Sequence, residues 1–445
     1  MAGDDRIPLI SAVITSGFEA CFQNHRHVVL AVSGGPDSMA LMHLAAEWKA
    51  LRGDGAPSFS VITVDHGLRP DSAIEAALVA AAAQGLGFAH TTLHWEGGKP
   101  KTGLQAAARE ARYRLIGAHL RANGWQAVAT GHTQDDQAET VLMRLARGSG
   151  VDGLAAMRSV TMPDKFWLLR PLLGVSKARL EAALRDRGVM WIVDPGNEKP
   201  EFERGRLRAV RNVLDGLGLQ NDQIALSAQR LGRTREALDW TSGYFAEKLG
   251  DALHIDDLGF AEIQWDRLLE LPEEIRLRIL LQLLGSIGGG GRAAVSLGQL
   301  EAMTVTRDWQ SPEGLTLAGA VFSKGGKGCI MVTREYGRSP LPEVVLAPGQ
   351  GLEWDNRFTV FTSVNDPDHF TVAALGPKGL DFLAKTGCCN IDGPRRAMVS
   401  IPGLWLGDAL ISAPLFKYFA EGRNPHHFSC QFTAHPYPGF PHHAV

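Results

Sequence analysis

From His27 to about Asp194 short apolar runs alternate with longer segments whose apolar residues recur at helical spacing. That alternation predicts βαβ units and a parallel sheet, and so an α/β first half. Strands are expected at Val28–Val32, Phe59–Asp65, Phe88–Trp95 and Gln126–Thr130, with a pair at Trp167–Leu169 and Met190–Val193. Their short, Val- and Ile-containing form suits buried strands. Helices are expected at Ser38–Ala50, Ser72–Gln84, Leu104–Ala122, Asp135–Arg147 and Lys177–Arg187, with Thr102 and Gly124 as start and stop signals of the third.

Past Arg211 the pattern changes to apolar segments of period 3.6, rich in Leu and Arg, such as Gln223–Leu249 and Ile275–Leu284. These read as a small helical domain that ends at Gly285–Gly291, a stretch with four consecutive glycines and the composition of a linker. The remainder has short alternating runs punctuated by Gly and Pro, the mark of an α+β or β-rich module. The expected domains are therefore 1–211, 212–284 and 292–445. The tail beyond Gly422, with its His, Pro and Phe residues, reads as poorly ordered.

With 445 residues there is material for a core in each of two or three domains. No apolar run has the length of a membrane-spanning helix, and Asp4 and Asp5 stand where a signal peptide would be basic and then apolar. The chain is thus expected to be cytoplasmic. Five irregularly placed cysteines (Cys21, Cys329, Cys388, Cys389, Cys430) supply neither a disulfide framework nor a CxxC metal site. Nor do Cys388–Cys389 and the histidines at 426, 427, 435, 442 and 443 have metal-ligand spacing. A net charge of −3 gives no global pull toward a polyanion, so nucleic-acid binding would need a local basic cluster. Arg204, Arg206, Arg208 and Arg211 form one, with no acidic residue among those eight positions.

The strongest local signal is Ser33-Gly34-Gly35-Pro36-Asp37-Ser38, between the first strand and the first predicted helix. A glycine pair lets the backbone turn and approach a ligand, and the helix start offers free N–H groups and a positive dipole end. This is a pyrophosphate cradle, to which Ser33 and Ser38 add hydroxyl donors. Asp37 there can hold a Mg²⁺ ion against a leaving pyrophosphate. The bland alternative is a polar turn built from common turn formers. The run lacks the GxxxxGK[ST] spacing of the P-loop, which disfavours transfer of a terminal phosphate.

The hexapeptide resembles the SGGxDS motif of the PP-loop pyrophosphatases, and that resemblance implies cleavage of ATP between the α- and β-phosphates. Further motifs are similar to those of the tRNA(Ile)-lysidine synthetase family. They are Val64-Asp65-His66-Gly67-Leu68-Arg69-Pro70-Asp71-Ser72, Arg109-Glu110-Ala111-Arg112-Tyr113-Arg114, and Gly131-His132-Thr133-Gln134-Asp135-Asp136-Gln137-Ala138-Glu139-Thr140. Arg147-Gly148-Ser149-Gly150, Arg170-Pro171-Leu172-Leu173 and Asp194-Pro195-Gly196-Asn197 follow, the last with Phe202, Arg204, Arg206 and Arg208 behind it. The likeness runs from about Val29 to Arg211 and implies a Rossmann-like PP-loop domain. Four positions depart from the family pattern: Thr133 for the second His, Gly196 for Ser, Lys199 for Asp and Gly205 for Asn. Pro402-Gly403-Leu404-Trp405 through Ala413-Pro414-Leu415 is loosely similar to the family's C-terminal module.

The resemblance implies two half-reactions: ATP adenylates the wobble cytidine of isoleucine tRNA with a CAU anticodon, and the ε-amino group of free L-lysine then displaces AMP. The cofactors it implies are ATP and Mg²⁺, and a homodimer stays open as an assembly. ATP would lie on Ser33, Gly34, Gly35, Pro36, Asp37 and Ser38. His132, expected at the end of the fourth strand, and Arg112 would offset phosphorane charge. Against these roles stand a helix-capping histidine and a solvated arginine face. Asp135, Asp136 and Glu139 read either as metal ligands or as carboxylates favoured by a helix dipole. Arg204, Arg206 and Arg208 would grip tRNA phosphates if the chain there is extended; a domain-joining ion-pair cluster is the alternative. A PP-loop tRNA thiolase, a small-molecule amide synthetase and a non-catalytic tRNA-binding protein are the rival readings.

Overall fold

The computed structural model describes residues 12–67, 72–100, 102–163, 165–193, 203–290, 295, 297–306, 314–387 and 393–434. Arg69 to Asp71, Asp194 to Phe202, Cys388, Cys389 and the histidines at 435, 442 and 443 lie outside them. Two compact units divide the chain, residues 1–235 and 236–445.

In the first unit, α1 (Ala12–Phe22) precedes β1 (His27–Ala31), α2 (Pro36–Arg52), β2 (Ser58–Asp65), α3 (Ser72–Gly85), β3 (Ala89–His94), α4 (Leu104–Ala122) and β4 (Ala127–Thr130). Then come α5 (Gln134–Leu145), α6 (Val151–Leu154), β5 (Val160–Thr161), β6 (Trp167–Leu169), α7 (Lys177–Asp186), α8 (Glu203–Ala209) and α9 (Arg211–Gly216). The strands form one sheet in the order β3-β2-β1-β4-β6-β5, parallel except for the edge pairing of β5 with β6. The order reverses direction between β1 and β4, and in open α/β sheets ligands bind outside the carboxyl ends of the strands at such a point.

Val28, Val29, Leu30, Val61, Ile62, Val128 and Leu169 are at most 1% exposed, because helices cover both faces of a parallel sheet. On one face Phe18, Phe22 and Trp48 pack together; on the other Ile116 and Leu120 of α4 do so. At roughly 25 cal/mol per Å² of apolar surface, these aromatic and aliphatic side chains supply most of the drive to fold. The sequence pattern does not announce α1, whose burial against α2 becomes visible only in the tertiary packing.

The strand expected at Met190–Val193 is not formed. Met190 and Val193 are 85% and 75% exposed, and the Ile192 N–H donates to Gly34 O at 2.9 Å instead of to a strand. The segment serves the loop rather than the sheet. Helix α4 begins after Gly103, which occupies its cap at φ 67° where Thr102 was expected.

Helix α10 (Asn221–Lys248) crosses from the first unit into the second. The second unit continues with β7 (Leu253–Asp256), β8 (Phe260–Gln264), α11 (Trp265–Leu269), α12 (Glu273–Ile287), α13 (Leu297–Thr306), β9 (Leu315–Leu317), β10 (Ala320–Lys324) and β11 (Cys329–Arg334). Then follow β12 (Val344–Leu346), β13 (Gly351–Trp354), β14 (Phe358–Thr362), β15 (Phe370–Ala374), α14 (Gly376–Thr386), α15 (Arg395–Met398), β16 (Pro402–Leu406), β17 (Ala409–Ala413), β18 (Tyr418–Phe419) and β19 (Phe428–Phe432).

Segment 212–284, read from sequence as helical, thus also contains β7 and β8. They join β11, β10 and β9 in one antiparallel sheet, order β7-β8-β11-β10-β9, so pairing runs across the glycine stretch. Leu280, Leu283 and Leu284 of α12 bury against Ala261, Ile263, Phe322 and Val332 of that sheet. Local periodicity sees the helix and misses strands too short to announce themselves. Two further antiparallel sheets, β12-β15-β16-β17-β18 and β13-β14-β19, enclose a second core around Trp354, Phe358, Phe370 and Leu404. The tail read as poorly ordered is, as far as residue 434, part of this core: β19 pairs with β14 from Phe428 to Phe432.

Candidate active site at the β1–β4 switch point

Ala31 of β1 pairs with Thr130 of β4, so Ser33 and His132, each two residues further on, leave the sheet side by side. Gly34 turns the chain at φ 86°, and a Cβ there would meet Ile192 Cδ1 at 2.4 Å. Gly35 caps α2 and Pro36 opens it, consistent with a proline in the first turn, where the missing N–H would have no helical partner. Ser38 ties the loop: its hydroxyl donates to Gly35 O at 3.0 Å and accepts the Ser33 N–H at 3.1 Å. The Ser33 and Ser38 oxygens are 3.3 Å apart. From the other side Gly131 closes on the loop, and a Cβ there would stand 2.7 Å from Asp37 O.

Asp37 occupies the first turn of α2. Its Oδ1 is buried without a hydrogen-bond partner, and its Oδ2 lies 3.6 Å from Lys177 Nζ. Burial pushes its pKa up to about 6; Lys177 opposes that rise, whereas Asp136 and Asp135 add to it. A carboxylate kept uncomfortable in this way is poised for a cation.

Sequence reasoning assigned Lys177 no role beyond starting a helix. A lysine at the first position of α7 sets its charge against the positive end of the helix dipole. That mismatch is the signal that points to it, and the Asp37 carboxylate explains it.

Asp135 ties two helix starts together. One oxygen accepts the Lys177 N–H at 2.7 Å and the other accepts from Asn221 Nδ2 at 2.7 Å, the first residue of α10. Thr133 and Asp136 form a capping box at the start of α5, with Thr133 N–H donating to Asp136 Oδ2 at 2.9 Å. Thr133 is 1% exposed, so its replacement of a histidine supplies a cap rather than a second imidazole.

His132 bonds through Nδ1 to Thr130 Oγ1 at 2.8 Å. Burial drives its pKa down to about 4; Arg170, Arg204 and Arg109 push the same way and Asp136 opposes them. The imidazole is therefore neutral near pH 7, so it can offer a hydrogen bond but not a charge. The cations around it are Arg109, Arg170 and Arg204. Arg112 lies with its Nη2 3.4 Å from Nε2 of His66, which follows the end of β2. Arg109 lies with its guanidinium 5.0 Å from the Tyr113 ring centroid.

The arginine patch is helical, not extended. In α8, Arg204 and Arg208 are four residues apart and face α5: Arg208 Nε donates to Glu139 Oε1 at 2.6 Å, and Arg204 Nη1 to Asp136 Oδ1 at 3.3 Å. Arg206, between them in sequence, is exposed. Asp136 and Glu139 are thus engaged with arginines of the same unit, rather than in ion pairs that join domains.

A model of the PP-loop domain matches residues 10–214. The chain is 44% identical over 329 residues to a tRNA(Ile)-lysidine synthase of a Bradyrhizobium species, covering 71% of this chain and 88% of that protein. To the enzyme of that name from Ruegeria pomeroyi it is 39% identical over 399 residues, 88% of this chain and 89% of the other. A third, from Bradyrhizobium diazoefficiens, is 43% identical over 73% of this chain and 94% of its own length.

Proposed function

The chain belongs to the tRNA(Ile)-lysidine synthase family, and from that premise we propose that the cleft between the β1 and β4 carboxyl ends is where a cytidine is adenylated and then attacked by lysine. It is a ligase that forms a carbon–nitrogen bond, uses ATP and acts on isoleucine tRNA. In the first half-reaction O2 of the wobble cytosine attacks the α-phosphate and pyrophosphate leaves. In the second, the ε-amine attacks C2, and the C2–O bond breaks to release AMP. Adenylation comes first because the cytosine carbonyl oxygen is a poor leaving group until a phosphate esterifies it.

The observation that carries this reading is the Asp37 carboxylate, half satisfied by Lys177 and half unpartnered, beside the Gly34–Gly35 turn at the start of α2. Ser33, Gly34, Gly35, Pro36 and Ser38 would line the phosphates, with the α2 N-terminus beneath them. Asp37 fits Mg²⁺, which is commonly held by one carboxylate together with substrate phosphates, and the ion would supply charge neutralisation for the leaving pyrophosphate. His132, neutral, would hold a hydrogen bond at the adenylated centre, and Arg109, Arg170 and Arg204 would provide the positive field there. Arg112, beside His66, would help to offset phosphorane charge. Arg204, Arg206 and Arg208, each partly or largely exposed, would contribute positive charge toward tRNA phosphate.

No helix among the described residues is long and apolar enough to cross a membrane, in keeping with a cytoplasmic enzyme working on tRNA. The test is incorporation of radiolabelled lysine into total tRNA with ATP and Mg²⁺, for the wild type and Asp37→Ala. Asp37-dependent labelling of one isoleucine isoacceptor supports the reading. AMP release stimulated by tRNA without lysine incorporation would retain adenylation and reject lysine as the nucleophile.

A further inference from the structure

On the C-terminal half of α10, Trp240 and Tyr244 stack face to face, with ring centroids 5.7 Å apart and planes within 9° of parallel. Lys248, one turn further on, sets its ammonium 5.5 Å from the Tyr244 centroid. Tyr244 also meets Phe245 edge-on, at 5.6 Å and 80°, and Phe245 packs on the β7–β11 core. Tyr244 is therefore held from three sides, whereas Trp240 ends the column and is 62% exposed. Lys248 is exposed, and among the described residues it enters no ion pair, although Glu247 adjoins it in sequence.

We propose that this column is a docking platform for the substrate tRNA: an unstacked base lies on the open face of Trp240, and Lys248 meets a neighbouring phosphate. The inference rests on the reading that the enzyme modifies a tRNA, and adds a contact outside the adenylation cleft. An aromatic stack flanked by cations is what a splayed nucleotide requires, since every base has a π-face and every linkage a negative charge. A second copy of this chain would instead bring a second Lys248 toward the first.

The test uses the full-length protein with an isoleucine tRNA transcript, measuring direct binding and steady-state lysidine formation for Trp240→Ala, Trp240→Phe and Lys248→Ala. Trp240→Ala should raise Kd and KM for tRNA roughly 5- to 100-fold, with kcat at saturating tRNA within about twofold of wild type. Trp240→Phe should keep most of the affinity, and Lys248→Ala should reduce the slope of log K against log salt by about one. Unchanged tRNA binding by Trp240→Ala, while the wild type makes lysidine, overturns the platform and leaves the activity intact. Self-association of the wild type that Trp240→Ala abolishes, at unchanged tRNA affinity, assigns the surface to a second copy and also overturns it. A wild type that forms no lysidine refutes the enzymatic reading instead, and the binding assay still judges the platform.

Discussion

Lys177 Nζ stands 3.6 Å from Asp37 Oδ2, at the meeting of two helix N-termini, while the other oxygen of that carboxylate is buried without a partner. The positive ends of α2 and α7 and the ammonium all favour an anion here, yet desolvation dominates and lifts the carboxyl pKa to about 6. If ionised Asp37 is what adenylation requires, pyrophosphate release should fall as pH drops through about 6. Lys177→Met removes the charge that holds the pKa down, so its acid limb should move to higher pH. A limb that stays in place in Lys177→Met would separate the two residues functionally.

The same shift carries a cost to stability. Asp37 binds its proton more tightly folded than unfolded, so the fold loses stability as pH rises from the ordinary value of 3.8 through about 6, and the whole penalty is present above that. Two pKa units correspond to at most about 3 kcal/mol. Asp37→Asn should therefore melt a few degrees above wild type at pH 7.5 while losing adenylation, and the gap should close by pH 4. Equal melting temperatures at pH 7.5 would show that the carboxylate is not strained.

His132 behaves in the opposite sense. With a folded pKa of about 4 it is uncharged throughout the working range. The adenylation rate should show no histidine inflection near pH 6.5, and His132→Asn should retain more activity than His132→Ala. An inflection near 6.5 that disappears in both variants would assign charge chemistry to this imidazole.

Gly131 touches the Ser33–Ser38 turn directly. A Cβ 2.7 Å from Asp37 O cannot be accommodated without moving backbone, and a displacement near 1 Å at a reacting centre costs on the order of 100-fold in rate. Gly131→Ala should lower kcat by about that factor with an unchanged far-ultraviolet spectrum. Near-normal turnover would mean that the α2 N-terminus can shift without consequence.

Two arginines of one heptapeptide should behave differently. Arg208→Ala leaves Glu139, whose side chain is 11% exposed, without its closest partner and should destabilise by about 2 kcal/mol, discounted because Arg208 is partly exposed. Arg206→Ala should weaken tRNA binding. Reversal of that pattern in thermal melts and tRNA titrations would exchange their roles.

By itself the sequence determined what local chemistry can express. Alternation of apolar runs marks β1–β4, β6 and their helices. Ser33 to Ser38 is legible as an anion cradle because glycine, proline and a helix start have fixed conformational meanings. Its ordered motifs point to the family that the relatives then show. Tertiary structure decided what depends on distant residues. Lys177, 140 positions from Asp37, reaches it only because α7 packs on α2. Arg204 and Arg208 turn inward because α8 lies against acidic α5. Met190–Val193 abandons the sheet because Ile192 serves Gly34, and β8, with β7 along its other edge, pairs with β11 from beyond the glycine stretch. In each case the free energy comes from pairing or desolvation between residues far apart in sequence, which no local pattern encodes.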